Sequence, residues 1–162
     1  MPEIGVLIET DRGKVKQACF EVVTAARGDG SFLVTALVIG ENPAHYRVLL
    51  EEYGVGKIVG INTPDGGLDE KPESAASAIA AAVENLRLYA LAGACTPRGR
   101  DLLARVSSIM DIPLVLDCIH VDFAARRVHK SHFSGKTVAV MDPGPGLFAC
   151  GMRPKSVKAL SA

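Results

Sequence analysis

The chain has no apolar run approaching the roughly 20 residues that a membrane-crossing helix needs, so no membrane partner is expected. It has no excess charge of either sign. Eighteen lysines and arginines balance eighteen aspartates and glutamates, which removes the global field that draws in nucleic acid or an anionic surface. It has no Cys-x-x-Cys pair. Cys19, Cys95, Cys118 and Cys150 are scattered, without the spacing of a zinc or dithiol redox site. The opening Met1-Pro2-Glu3 has neither the positive start nor the apolar stretch of a secretory leader. A cytoplasmic location with reduced, buried thiols is therefore expected.

Catalytic and nucleotide motifs are also missing. Gly-x-Gly-x-x-Gly and Gly-x-x-x-x-Gly-Lys-Ser/Thr do not occur. Gly135-Lys136-Thr137 matches only the tail of the second pattern, and it enters a strand instead of a helix. No serine has a Gly-x-Ser-x-Gly context, so nucleophilic catalysis has no support.

What is present is one domain's worth of alternating strands and helices. The 162 residues are 48% hydrophobic and 22% charged, enough to bury a core. Residues 4–8 form an almost continuous apolar run, as in a strand covered on both faces. Val15, Ala18, Cys19, Val22, Val23 and Ala26 then fall on one helical stripe, which Gly28-Asp29-Gly30 ends. Residues 32–39 predict a second buried strand. Asn42-Pro43 opens a helix carrying Val48, Leu49 and Tyr53, followed by a short strand at 57–61. A turn at 64–67 leads into an alanine-rich helix over 69–83, entered near Pro72.

A fourth strand is predicted at 86–91, ending in Ala92-Gly93-Ala94. Thr96-Pro97 caps another helix, with Leu102, Leu103, Val106, Ile109 and Met110 facing inward. A fifth strand covers 114–116. Strands separated by helices must pair parallel. The predicted fold is a three-layer α/β/α sandwich on a mostly parallel, Rossmann-like sheet. After Asp117 the rhythm shortens, and 118–121, 127–133, 137–141 and 147–151 predict an antiparallel extension on one sheet edge. The domain is expected to span 1–154, with 155–162 a frayed, flexible tail.

Three segments resemble a known family, the N-terminal domain of the electron transfer flavoprotein alpha subunit. They are residues 4–27 with the ending Thr24-Ala25-Ala26-Arg27, Tyr53-Gly54-Val55-Gly56-Lys57-Ile58, and the run from Leu91 through Thr96-Pro97-Arg98-Gly99-Arg100-Asp101-Leu102 with Pro113 and Asp117. Ser134-Gly135-Lys136-Thr137 and Met152-Arg153-Pro154 extend the likeness. The resemblance implies an adenine nucleotide alpha hydrolase-like fold, shared with the beta subunit, which holds AMP, and with universal stress proteins. In the family, FAD contacts come mainly from a second domain with its own glycine-rich segment. No residue here matches those positions, so no cofactor is expected in this chain alone, and FAD only through a partner. The implied role is a docking body without catalytic residues, associating with a beta-like subunit or as a homo-oligomer. A small AMP- or ATP-binding protein is the alternative, and an excised piece of a full alpha subunit is a third reading.

Ligands of open parallel sheets bind outside the carboxyl ends of the strands. That edge gathers Glu9-Thr10, Gly40-Glu41-Asn42, Asn62-Thr63 and the stretch from Gly93 to Arg100. Thr96, Arg98, Gly99 and Arg100 could receive a phosphate at a helix N-terminus, with Glu9 and Gly40 beside them. The plainer reading makes Thr96 a cap and pairs Arg100 with Asp101 or Asp117. It is preferred, because this fold carries many empty sites. His120, His129 and His132 cluster in sequence, and strand alternation puts His120 on one face with Cys118, but the spacing is not that of a metal site. Cys95 precedes a helix start, where a thiol pKa tends to fall, which makes it the cysteine to test for reactivity.

Overall fold

The computed structural model describes residues 1–40, 42–62, 67 and 71–162. In chain order the elements are β1 (Glu3–Ile8), a small β2–β3 hairpin (Thr10–Asp11 and Lys14–Val15), α1 (Gln17–Arg27), β4 (Leu33–Ile39), α2 (Arg47–Glu52) and β5 (Lys57–Ile61). They continue as α3 (Pro72–Asn85), β6 (Ala90–Ala94), α4 (Pro97–Met110), β7 (Leu114–Asp122), β8 (Arg127–His132), β9 (Thr137–Met141) and β10 (Phe148–Met152). The main sheet, among the described residues, has the order β5-β4-β1-β6-β10-β7-β8-β9. It is parallel from β5 to β7 and antiparallel from β7 to β9. The expected three-layer α/β architecture is the observed one.

The sheet is buried on both faces, which is why its central strands are apolar without alternation. In β1, Ile4, Val6 and Ile8 face a layer that includes Phe20 and Val23 of α1 and Leu50 of α2. Leu7, pointing the other way, joins Ile79 of α3 and Leu102, Leu103 and Val106 of α4. The first face is completed by Val121, Phe123 and Val128 of the β7–β8 hairpin. Phe123 stacks on Phe148 at a centroid distance of 6.1 Å. The Tyr89 hydroxyl donates to the Phe123 carbonyl at 2.9 Å.

Several details depart from the sequence expectations. The strand predicted at 147–151 lies inside the sheet: β10 runs parallel between β6 and β7. All five of its residues, Phe-Ala-Cys-Gly-Met, are buried, the signature of a central strand and not of an edge. The fourth strand starts later than predicted, at Ala90, because α3 continues to Asn85 and its end bonds on through Leu86 and Leu88 to Ala82 and Val83. Val15 belongs to the β2–β3 hairpin and not to the α1 stripe. Ile109 is exposed instead of facing inward, as are Val48 and Leu49; Leu50 is the buried residue of α2. The strands predicted at 114–116 and 118–121 merge into β7, with Asp117 in left-handed conformation (φ 57°) at the join and a register shift between Cys118 and His120. Phe133, predicted to end a strand, sits exposed in a turn at φ 51°.

Asn42 caps the turn before α2 as anticipated, its side chain accepting from Ala44 N–H at 3.0 Å. The helix start at 69–71 and the turn at 64–67 lie largely outside the described residues, as do Glu41 and Thr63. The segment expected to fray lies along α1. Lys155 N–H donates to Glu21, Leu160 N–H to the Thr24 hydroxyl and Ala162 N–H to the Glu52 carbonyl.

Candidate functional site

The strand order reverses between β1 and β6. From β1 the chain moves outward to β4 and β5, then crosses back through α3 to β6 on the other side. The carboxyl ends of the strands flanking such a reversal border the crevice where ligands of this architecture bind. The residues that leave β1 and β6 at that edge are Glu9 and Cys95-Thr96, so two of the anticipated positions do converge.

They converge on each other. Glu9 is only 3% exposed, and a buried carboxylate needs partners. The Thr96 hydroxyl donates to Glu9 Oε1, and Lys16 Nζ donates to Oε2 at 2.9 Å. The same hydroxyl accepts from Gly99 N–H at 3.0 Å, capping α4. A Cβ on Gly99 would lie 1.9 Å from the Ala94 carbonyl and 2.9 Å from Glu9 Oε1, so only glycine lets the helix start approach this closely. Glu9 thus places its negative charge at the positive end of the α4 dipole, where an anion is favoured. Lys16, in the turn leading into α1, is a member of this set that the sequence pattern did not single out. Seven residues separate it from Glu9, and only the β2–β3 hairpin brings the two together.

Arg100, one turn further along α4, pairs with Asp117, one of the two partners anticipated for it. The Arg100 hydrogen bond holds the Asp117 carboxyl below the usual carboxylate range. Arg98 is half-buried in the first turn of the helix. Gly40 stands apart. It closes β4 at φ 86°, and its N–H donates to the Ile61 carbonyl on the side away from β1 and β6.

Cys95 does not have the lowered pKa expected near a helix start. Burial pushes its thiol up, outweighing the Asp117 N–H that donates to its sulfur at 3.2 Å. Burial also pushes Cys19 and Cys118 up to about 12 and raises Cys150. His120 does not share a face with Cys118. The shift in β7 leaves Cys118 buried and His120 exposed, edge-on to His129 at 5.0 Å. Among the described residues no group of three His, Cys, Asp or Glu side chains is arranged to hold a metal, and no helix is long and apolar enough to cross a membrane.

A second concavity, of about 330 Å³, lies between the end of α1 and the β7–β8 hairpin, lined by Thr24, Asp29, Phe32, His120, Asp122 and Phe123 among others. Its carboxylates serve the local turns: Asp29 accepts from Ser31 N–H and Asp122 from Ala125 N–H. Next to the hairpin, the Arg126 guanidinium lies 5.0 Å from the Tyr89 ring centre and 4.9 Å from that of Phe148, and it donates to the Gly144 and Gly146 carbonyls. Sequence spacing gave no sign of this stack, because Tyr89, Arg126 and Phe148 come from segments distant in the chain.

The fold and the α4 start can be set against known families. A family model described as electron transfer flavoprotein domain matches residues 4–161. The chain belongs to this family. No curated protein matches it. In this electron transfer flavoprotein domain, Glu9, Thr96, Arg100, Asp117 and the β7–β9 strands all lie within the matched residues.

Proposed function

We propose that this protein is an alpha-type electron transfer flavoprotein domain that works by association. It is a docking body in a flavin-dependent electron-transfer complex, with no catalytic residue and no FAD site of its own. The observation that carries this reading is the filled crevice. Where a nucleotide phosphate would meet the start of α4, the Glu9 carboxylate already accepts from Thr96 and lies against Gly99. A pyrophosphate or phosphate there would face a buried like charge, so the residues present do not suit a flavin or adenine nucleotide at this edge. FAD would be carried by a partner domain or a beta-like subunit. Four free, buried thiols are in keeping with a reducing cytoplasm.

Thermal unfolding with added AMP, ATP or FAD tests the reading. A ligand at 100 times its dissociation constant adds about 2.7 kcal/mol of stability. No shift is expected with any of the three. A saturable shift with AMP or ATP would instead make this a small nucleotide-binding protein with Thr96, Arg98 and Arg100 near the phosphates. A flavin-carrying subunit, by contrast, is expected to raise the melting temperature and to co-elute in fixed proportion.

A further inference from the structure

Among the described residues, β9 is the last strand of the sheet and pairs only with β8. One side of its backbone therefore presents unpaired N–H and C=O groups, which can template another strand. Edge strands of stable monomers are blunted by charges, proline or bulges. The sequence Thr-Val-Ala-Val-Met of β9 has neither a charge nor a proline, and it stays in register with β8 along its full length. Its side chains are uncovered too. Val138 is 50% exposed and Val140 56%, far more than β-branched apolar residues of a covered sheet.

We propose that this edge is a self-association site whose occupant is β9 of a second copy, paired antiparallel about a two-fold axis at Ala139. That register sets Val138 across from the partner's Val140, and Lys136 across from the partner's Asp142. Each pair occurs twice by symmetry. Lys136 is exposed at the start of the strand. The Asp142 carboxylate is held at its end by Arg127, at 2.9 Å, and by the Gly144 N–H, also at 2.9 Å. Neighbouring two-fold registers are worse. Centring on Val138 puts Lys136 against a valine, and centring on Val140 puts Asp142 against a valine. Opposite charges directly across an antiparallel pair stabilise it and like charges oppose it, so the flanking charges select the Ala139 register and favour a second copy as the occupant.

Sedimentation velocity on the full chain, from low to high micromolar concentration, tests this. A concentration-dependent dimer is expected. Lys136→Glu and Asp142→Lys should each weaken it by about tenfold or more, because each creates two like-charged contacts. An equimolar mixture of the two variants should dimerise again, since each mixed pair restores both attractions. This recovery also shows that both variants are folded. Val140→Lys, on an exposed position, should abolish the dimer with the fold intact. A chain that stays monomeric throughout, a dimer indifferent to Val140→Lys and Lys136→Glu, or variants that fail to recover on mixing would each overturn the proposal. Self-pairing is separable from docking of a flavin-carrying subunit: a chain that dimerises through β9 and takes no such subunit keeps this inference and loses the functional one.

Discussion

At the scale of single residues, the start of α4 is held by contacts that leave little room for change. Gly99→Ala would force a backbone carbonyl and a buried carboxylate apart, the kind of overpacking that costs about 1–3 kcal/mol; chemical denaturation measures it, and an unchanged midpoint would mean that α4 is not held as described. The Arg100–Asp117 pair makes a pH prediction. Because the Asp117 pKa is lowered in the folded state, its contribution is fully present above the ordinary carboxylate value and lost as pH falls through the folded one. Both groups are partly exposed, so the pair is worth at most about 1 kcal/mol. Asn tolerates the left-handed conformation of residue 117. Asp117→Asn should therefore destabilise modestly at neutral pH, with the gap closing in acid. A gap that persists in acid would point to lost packing instead of lost charge. The thiols give a third test. With all four raised by burial, none should react quickly with an alkylating agent in the native protein, and all four should react after denaturation. Rapid labelling of Cys95 would contradict the environment described for it.

At the scale of elements, most of the sheet was legible because its signal is local. β1, β4 and β5 are short apolar runs bounded by turns, and α1 and α4 carry inward stripes ended by recognisable caps. What escaped is what depends on partners distant in sequence. Phe148 to Met152 is an unbroken apolar run like those of the central strands, but it follows the antiparallel strands in sequence, and its place between β6 and β7 is seen only in the fold. Glu9 and Thr96 could be assigned to the same sheet edge from sequence. That the carboxylate turns toward the hydroxyl follows from β1 lying beside β6, which no spacing reveals. The antiparallel β7–β8–β9 extension was legible from its short strands and turns, but the packing of Phe123 on Phe148 that anchors it was not. Phe123→Ala should cost about 3–5 kcal/mol, and hydrogen exchange should quicken first in β8 and β9. Uniform quickening across the whole sheet would show that the hairpin is not a separately anchored element.

At the scale of the whole molecule, the family match over residues 4–161 gives the chain its family, and the filled crevice is the geometry from which the proposed role is argued. The start of α4 is filled by the chain's own Glu9, which accepts from Thr96 and lies against Gly99, and the proposed role by association rests on that geometry. Three backbone amides of the terminal segment bond to α1 and α2, while Val138 and Val140 of the β9 edge stay exposed. The most direct test is a visible absorption spectrum of the gently purified native protein, with mass spectrometry of the polypeptides and small molecules it releases. The account predicts a flavin spectrum only in fractions that also hold a second, flavin-carrying polypeptide, and a colourless chain once the two are separated. A homogeneous preparation of this chain alone that keeps a stoichiometric flavin would contradict it.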